Sequence, residues 1–330
     1  MTGSVRKGAR HCSTYLQNAV AAIPFWHLLR MYVLKHPRIA PAFKSAFGSR
    51  LHQKLLAYPV LGYWPQIAEP RTFNERIMHR QLFTDDPLFT LVEDKVAARR
   101  YVRDLVGSGI LSDVYHVTDD PETIPFDALP GEYVIKPSHL SGPVRLVDSD
   151  DRIDREQVRS RCRDWLSQTH GRVNEQYWYA DIPPRIMIEE RLRDDEYEPP
   201  LDYKFYVFHG RVEYVHVDFN RFDGGRRRFF DREWNPQDFR KGGIPLGPSI
   251  DEPTRYEEMR EIAEQLGTDF DFIRVDLYLL NNERIVFGEL TVGPSHGRSP
   301  FDPERYDFVF GELWDNPGRT GRTAFGAAEE

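Results

Sequence analysis

The stretch FIRVDLYLLNNERIVFGELTV, residues Phe272–Val292, has the alternating apolar and polar pattern of two β-strands joined by a tight turn. The turn is predicted at Asn281–Asn282, because asparagine tolerates the positive φ angles that such turns require. Successive side chains of a strand point to opposite faces of a sheet. Four polar side chains are therefore predicted on one face of this hairpin: Arg274, Asp276, Glu289 and Thr291.

The length of the turn decides which residues of the two strands face each other. A two-residue loop places Arg274 opposite Glu289, and Asp276 opposite Phe287. The second strand then carries Ile285 and Phe287 on the same face as Glu289. A four-residue loop preserves the polar face, whereas a three-residue loop would separate the polar side chains, because a slip of one residue reverses the face.

Two carboxylates on one face, Asp276 and Glu289, form an oxygen site of the kind that Mg²⁺ prefers when phosphate oxygens and water complete its shell. Arg274 beside them offers a planar fork that suits phosphate oxygens. The alternative is a solvated sheet face with an ordinary cross-strand ion pair between an arginine and a glutamate. The pattern of this hairpin alone leaves both interpretations open.

Composition excludes several classes of protein. The chain has 330 residues with 40% hydrophobic content, enough for one large domain or two modest ones. Its net charge of -8 lacks the basic excess typical of nucleic-acid binding, so no nucleic-acid partner is predicted. The two cysteines, Cys12 and Cys162, are far apart and indicate a reducing compartment, so we expect a cytoplasmic protein.

The two ends of the chain are predicted to differ from its middle. Residues 1–70 are predicted to form a helical extension interrupted by prolines, and residues 316–330 a disordered tail. Within the extension, residues 19–34 are apolar but too short to span a membrane, which takes about 20 residues. We expect a buried amphipathic helix there, and the alternative is peripheral contact with the inner face of the membrane.

Two lysines are candidates for binding phosphate. Leu91–Leu105 has helical spacing and is predicted to end at Gly107, with Lys95 on its first turn. Lys136 leaves a short β-rich run and enters the loop Ser138–Pro143. A lysine that leaves a strand into a loop of small residues supplies a point charge and backbone N–H groups to a phosphate. A surface lysine paired with a nearby acid is the alternative for Lys95.

Further segments complete the predicted pattern. Pro184–Leu192 is predicted as a strand that ends in paired acids, which can accept hydrogen bonds from a ribose or an adenine amine. Asp202–Val217 is predicted as a second hairpin that turns at His209–Gly210, and Arg255–Leu266 as an amphipathic helix. The glycine-rich phosphate-binding motifs and the H-E-x-x-H zinc motif are absent from the sequence. If ATP binds, lysines and a metal held by carboxylates must bind it.

These motifs, in this order, resemble the TupA-like (teichuronopeptide biosynthesis) family of ATP-grasp proteins over roughly residues 60 to 315. The stretches that carry the resemblance are Thr72–Ile77, Asp94–Lys95, Leu129–Lys136, Pro184–Glu190, Asp202–Phe205, Phe230–Trp234, Arg274–Tyr278 and Phe287–Thr291. The resemblance implies an α+β ATP-grasp fold, in which two lobes grip ATP, and this fold follows the N-terminal extension in the sequence. We expect the N-terminal and central lobe in residues 71–183, and the C-terminal lobe with the metal site in residues 184–315.

The resemblance also implies a role for each of twelve residues. Those implied to bind the phosphates of ATP are Lys95, Lys136, Ser141 and Gly142. Glu189 and Glu190 match the segment that contacts adenine and ribose. The residues implied to act near the acyl phosphate or the acceptor are Lys204, Arg221 and Arg274. Those implied to bind Mg²⁺ are Asp276, Glu289 and Thr291, the last standing where many ATP-grasp enzymes have asparagine.

The activity that the resemblance implies is ATP- and Mg²⁺-dependent joining of a carboxylate to an amine in bacterial cell-surface polysaccharide biosynthesis. The expected substrates are a small-molecule or glycan carboxylate and an amine. In the family the loop after the strand lysine is rich in glycine, whereas this chain has Leu140 and Pro143 there. That departure favours, as an alternative, a non-catalytic scaffold or sugar-binding partner of polysaccharide-assembly proteins. A glycosyltransferase or sugar kinase is the third alternative.

Overall fold

The structure, a computed structural model, describes residues 34–36, 39–168, 175–219 and 224–315. The helices are α1 (Ile39–Phe47), α2 (Ser49–Leu61), α3 (Phe73–Phe83), α4 (Pro87–Glu93), α5 (Ala98–Val106), α6 (Arg155–Ser167), α7 (Tyr256–Leu266) and α8 (Arg305–Leu313). The predictions for residues 19–33, for the tail from residue 316 and for Arg221 lie outside the described residues. Within them, no helix is both long and apolar enough to cross a membrane.

The strands form two main sheets. Their bounds are β1 (Val114–Thr118), β2 (Tyr133–Pro137), β3 (Arg145–Val147), β4 (Ile186–Glu190), β5 (Asp202–Phe208), β6 (Arg211–Phe219), β7 (Arg226–Asp231), β8 (Pro236–Gln237), β9 (Arg240–Lys241), β10 (Phe272–Leu280), β11 (Arg284–Thr291) and β12 (Phe301–Asp302). One sheet has the strand order β1-β4-β2-β3, and the other has the order β11-β10-β5-β6-β7-β8. The chain enters the second sheet only after Glu190, beyond the predicted boundary at residue 184.

The four-stranded sheet has one face in a core and one face toward the candidate site. In β2, Tyr133 and Ile135 are buried with α6, where Trp165 is also buried. Val134 and Lys136 alternate with them and are half-buried on the other face. The period of two along β2 therefore brings Lys136 out of the core and into the space between the sheets.

The six-stranded sheet packs α7 on one face. This core contains the apolar residues predicted for the first strand of the hairpin, Ile273, Val275, Leu277 and Leu279. On the other face, Tyr206 and Phe272 belong to an aromatic cluster with residues of α3 and α8. That cluster covers one part of the face and leaves Lys204 and Asp276 beside the four-stranded sheet, where they line a cavity.

Helix α3 ties the N-terminal part of the chain to the hairpin. Thr72 caps the helix in a capping box with Glu75. Near the other end of α3, the buried Arg80 donates hydrogen bonds of 2.9 Å to the backbone carbonyls of both Phe272 and Val292. Because those residues lie at the start of β10 and just after β11, Arg80 fixes the open end of the hairpin.

The hairpin has a longer loop than predicted, and a bulge restores its polar face. Leu280 pairs with Arg284, so the loop has three residues, and Asp276 pairs with Glu289 instead of Phe287. A register shift follows Asp276, opposite Gly288. The predicted register was therefore wrong, although Asn281 and Asn282 do adopt the positive φ angles expected of them.

The bulge also corrects the predicted faces of β11. Ile285 and Phe287 lie in the core with Leu290, not on the face of Glu289. A Cβ atom on Gly288 would lie 3.0 Å from the backbone oxygen of Asp276, closer than a side chain normally tolerates. The absence of a side chain at residue 288 lets the bulge form, and the bulge reverses the alternation of β11.

The predicted helix Leu91–Leu105 is interrupted at Asp94. Helix α4 ends there, and the Asp94 carboxylate accepts a hydrogen bond of 2.9 Å from the backbone N–H of Val96. Aspartate competes for backbone N–H groups in this way and so favours helix ends over helix interiors. Lys95 consequently lies in the turn between α4 and α5, not on the first turn of a helix, while Gly107 ends α5 as predicted.

Candidate active site

Two adjoining cavities lie between the sheets. The smaller, of about 350 Å³, is lined by these predicted site residues: Lys95, Lys136, Gly142, Glu189, Glu190, Lys204, Asp276 and Glu289. The larger, of about 570 Å³, is lined by Ser141, Arg274 and Thr291 together with Lys204 and Glu289. Eleven of the twelve predicted residues thus meet here, and the twelfth, Arg221, lies outside the described residues.

Arg274 organises the polar face of the hairpin. Its guanidinium donates two hydrogen bonds of 2.6 Å to the carboxylate of Asp276. It donates a further hydrogen bond of 3.2 Å to Glu289 and one of 3.0 Å to the hydroxyl of Thr291. Burial alone would lower the pKa of Arg274, but the Asp276 carboxylate outweighs burial and raises it, so the guanidinium stays charged.

Asp276 is a buried carboxylate between two cations. In addition to Arg274, the ammonium of Lys204 forms ion pairs with Asp276 and, at 2.6 Å, with Asp202. Burial raises the pKa of Asp276 to about 6, against the opposing effect of Arg274 and Lys204. The site therefore holds Asp276 as an anion at neutral pH only because both cations remain beside it.

The four-stranded sheet contributes two carboxylates that point to different partners. Glu189 forms an ion pair with Lys136 and accepts a hydrogen bond of 3.2 Å from the hydroxyl of Ser112. Glu190 instead pairs with Arg284 of β11, and this hydrogen-bonded pair lowers the pKa of Glu190. Adjacent residues of β4 thus serve two functions, since one joins the lysine of β2 and the other joins the two sheets.

The loop after β2 is anchored by Leu140. The Leu140 side chain is 3% exposed and packs in the core that contains Trp165. Its backbone carbonyl accepts a hydrogen bond of 2.8 Å from the ammonium of Lys95. Burial lowers the pKa of Lys95, and the nearby carboxylate of Glu289 raises it in opposition. The loop therefore has a fixed apolar anchor where the family pattern has glycine.

Glu93 is a site residue that sequence reasoning missed, because it was considered only as a surface partner of Lys95. It lines the larger cavity and accepts hydrogen bonds of 2.5 Å from the Tyr179 hydroxyl and 2.8 Å from the backbone N–H of Val292. Burial raises the pKa of Glu93 to about 7. The available signal was a glutamate that ends an apolar segment two residues before the predicted phosphate-binding lysine, Lys95.

The donor set at the hairpin suits Mg²⁺ when a substrate supplies further ligands. Asp276 and Glu289 are direct partners across the strands, and Thr291 adds a neutral hydroxyl oxygen on the same face. In the parts of the chain that the structure describes, no cluster of three or more His, Cys, Asp or Glu side chains is arranged to hold a metal ion. An ion held by this pair would need phosphate or water oxygens to complete its shell, as Mg²⁺ commonly does.

Residues 75–315 match the sequence profile of the TupA-like ATPgrasp family. The chain belongs to this family. The match begins within α3 and continues past the end of α8, and it confirms both the resemblance and the α+β ATP-grasp fold expected from it. Among curated proteins, none matches the chain significantly.

The chain is also similar to several solved structures, at low sequence identity. A D-alanine–D-alanine ligase from Bacillus anthracis has 15% sequence identity and a TM-score of 0.41, over 68% of this chain and 65% of that protein. The ATP-grasp ligase PsnB, in a complex with a precursor variant, Mg and ADP, has 15% identity and a TM-score of 0.42, over 84% of this chain and 68% of that protein. An ATP-grasp RimK domain protein from Sphaerobacter thermophilus has 15% identity and a TM-score of 0.39, over 69% of this chain and 68% of that protein.

A third cavity, of about 810 Å³, is lined by residues that include Arg76, Asp271 and Trp314. It is larger than the other two, but its lining includes none of the twelve residues for which the family resemblance implies a role. Size alone therefore does not identify the candidate active site. The candidate active site is identified instead by the lysines and carboxylates that converge there from β2, β4, β5, β10 and β11.

Proposed function

We propose that this family member is an ATP- and Mg²⁺-dependent ligase that activates a carboxylate as an acyl phosphate and joins it to an amine. The observation that carries the proposal is the wall formed by Lys204 and Glu289, which lines both cavities. A nucleotide in the smaller cavity and a carboxylate substrate in the larger one would meet at this wall. Positioning of that kind, with charge neutralisation, is most of what phosphoryl transfer requires from a protein.

The chemistry needs no side-chain nucleophile. A carboxylate oxygen of the substrate bonds to the terminal phosphorus of ATP, and ADP leaves. The amine nitrogen then bonds to the acyl carbon, phosphate leaves with the electrons of the broken carbon–oxygen bond, and the nitrogen loses its proton. Lys136 and Lys95 would neutralise the phosphates from one side, and Lys204 and Arg274 would do so from the other.

Asp276, Glu289 and Thr291 would hold Mg²⁺ in this scheme. When bound, the ion neutralises negative charge on the phosphate oxygens of the nucleotide. Glu289 would be the more accessible ligand, because its side chain is 37% exposed whereas that of Asp276 is 2% exposed. Asp276 also accepts hydrogen bonds from Arg274 and Lys204, so its part in metal binding depends on keeping those cations in place.

We place this reaction in bacterial cell-surface polysaccharide biosynthesis, with an acidic glycan as the carboxylate substrate and polysaccharide-assembly proteins as partners. Family membership supports the setting. The larger cavity supports the substrate class, because Arg226 and Arg227 line it together with Arg274. Arg227 is already paired with Asp218, with hydrogen bonds of 2.6 and 2.9 Å, so Arg226 is the arginine on β7 that we assign to the acidic substrate.

The test compares Glu289→Gln and Asp276→Asn with wild type in a phosphate-release assay that contains ATP, Mg²⁺, an acidic glycan and an amine. We expect both variants to lose ATP-dependent release. Glu289→Gln is the more informative variant, because its side chain is half-exposed and Arg274 keeps its ion pair with Asp276 when Glu289 is neutralised. Asp302→Asn is the matched control, because Asp302 is an exposed carboxylate that lines neither cavity, and this variant should behave as wild type. Undiminished release in either site variant would contradict the metal assignment.

The hydrogen bond between Lys95 and the Leu140 carbonyl favours one alternative, a non-catalytic nucleotide-binding or sugar-binding scaffold. This hydrogen bond ties Lys95, one of the two lysines predicted to bind phosphate, to the loop in which Leu140 and Pro143 stand where the family has glycine. A thermal-unfolding experiment with Mg²⁺ and a non-hydrolysable ATP analogue separates the two. Ligand at a hundred times its dissociation constant adds about 2.7 kcal/mol of stability. A shift that Glu289→Gln reduces, in a protein that turns over no acidic sugar, would favour the scaffold.

A further inference from the structure

The N-terminal part of the chain has a charge opposite to that of the remainder. From Met1 to Ala68 there are nine basic residues and no aspartate or glutamate, whereas residues 69–330 contain 35 basic and 52 acidic residues. The overall charge of -8 therefore conceals a strongly cationic segment joined to a strongly anionic one. Charge asymmetry of this kind indicates a region that binds an anionic surface.

The described part of this segment presents its cations on one stripe of a helix. Arg50, Lys54 and Tyr58 follow one another at intervals of four residues along α2, so they lie on the same face. The opposite face is buried through His52 and Leu56. Within the described residues, neither Arg50 nor Lys54 forms a salt bridge, so both charges are available to an external partner.

Aromatic side chains flank both cations. The guanidinium of Arg50 lies 5.2 Å from the ring centre of Phe83, and the ammonium of Lys54 lies 5.6 Å from that of Trp64. Trp64 in turn contacts Tyr58, with ring centres 5.9 Å apart. These five residues form one continuous strip, which we call the aromatic–basic strip. It is an exposed surface, since Trp64 is 43% exposed and Phe83 is 49% exposed.

The combination of cations with exposed apolar side chains indicates which kind of anionic partner this surface fits. A soluble polyanion would need only the cations, and a single-stranded nucleic acid would need cations with aromatic rings on which its bases stack, but neither accounts for an exposed aliphatic side chain in the same segment. Phe47 and Ile39 of α1 are exposed as well, at 62% and 41%. Tryptophan, tyrosine and phenylalanine interleaved with lysine and arginine are typical of surfaces that sit at the boundary between lipid headgroups and acyl chains.

We propose that the aromatic–basic strip, formed by Arg50, Lys54, Tyr58, Trp64 and Phe83, docks the protein on a membrane surface that contains anionic lipids. The aromatic rings would enter the interfacial region, and the two cations would pair with lipid phosphates. The acidic remainder of the chain would be repelled by the same surface, which gives the docked protein a preferred orientation.

The experiment is vesicle flotation of the full-length chain, with phosphatidylcholine vesicles compared with vesicles of phosphatidylcholine mixed with phosphatidylglycerol. We expect binding to the anionic vesicles only. The double variant Arg50→Gln/Lys54→Gln should lower the partition coefficient roughly 30-fold at low salt, because each basic residue near an anionic membrane contributes roughly a fivefold factor. Trp64→Ser/Phe83→Ser should weaken binding at high salt as well, since that contribution is not electrostatic.

Matched controls remove the same groups elsewhere. Arg103→Gln/Arg305→Gln removes two exposed charges, and Phe308→Ser removes an exposed phenylalanine, all outside the strip. Circular dichroism and thermal unfolding check that every variant is folded. Equal binding to both vesicle types, equal effects of strip and control variants, or the absence of vesicle binding would overturn the proposal. The proposal would also be overturned if the protein bound an oligonucleotide or a soluble polyuronate through the strip but did not bind vesicles. The strip would then be assigned to that partner.

Discussion

Replacing Glu93 by glutamine is expected to remove a pH-dependent loss of stability from the protein. Glu93 is 6% exposed, and burial raises its pKa from 4.5 to about 7. Between those two values the folded state binds more protons than the unfolded state. The free energy of unfolding therefore falls as pH rises through this window, and it becomes level above about pH 7.

The magnitude follows from the two pKa values. Their difference, from 4.5 to about 7, corresponds to about 3 kcal/mol of lost stability, since one pKa unit equals 1.36 kcal/mol. Glutamine resembles the protonated acid. Its carbonyl can accept the hydrogen bond from the Val292 N–H, and its amide can donate to the Tyr179 oxygen. The variant should therefore escape the cost of burying a charge.

Urea unfolding of wild type and Glu93→Gln between about pH 5 and pH 8 measures this difference. We expect similar stabilities at the acidic end and an advantage for the variant that grows by about 3 kcal/mol toward the alkaline end. Glu258→Gln, at a half-exposed glutamate of α7, controls for the general removal of a carboxylate. An advantage that stays constant across this range would refute the reasoning.

Three further predictions concern the hairpin and the loop. Gly288→Ala places a Cβ 3.0 Å from the Asp276 oxygen; we expect a cost of about 1–3 kcal/mol in urea unfolding and a weaker shift with Mg²⁺ and nucleotide. Unchanged stability would show that the bulge tolerates a side chain. Arg80→Met leaves the Asp271 carboxylate without its ion-pair partner and two backbone carbonyls without their donor, so it should cost about 3–5 kcal/mol by the same measurement. A loss below about 1 kcal/mol would contradict this. Leu140→Ala should cost about 2–5 kcal/mol. It should also weaken nucleotide binding in titration calorimetry, because Lys95 is held by the Leu140 carbonyl, and an unaltered affinity would contradict that link.

Local sequence determined most elements of the fold. The tight turn at His209–Gly210 and the end of α5 at Gly107 each depend on one or two residues with a strong conformational preference, and both were predictable. The bulge at Gly288 was not predictable, because a glycine inside a strand does not reveal which backbone atom approaches it. The contact exists only when β10 is already in place.

The candidate site shows the same division. Asp276 and Glu289 were predictable as polar positions of their own strands, and they share one face because the bulge at Gly288 brings Glu289 opposite Asp276. The distant partners of the site residues were not predictable from the sequence. Lys204 contacts Asp276 from a strand 72 residues away, and Glu93 accepts a hydrogen bond from Val292 across 199 residues. Periodicity shows which way a side chain points, but pairing between distant segments decides what it meets.

The bulge opposite Asp276 concerns the number of residues in β11 and not the length of the turn. Four residues lie between Arg284 and Glu289, whereas three lie between Asp276 and Leu280, and Gly288 is the additional one. A relative that lacks this residue can still pair its aspartate with its glutamate, because the two strands then alternate in step. A relative that gains or loses one residue elsewhere between Arg284 and Glu289, with the bulge kept, would place the glutamate on the core face. Changes of length should therefore be tolerated in the turn, where the pairing of Leu280 with Arg284 is unaffected, and not in β11.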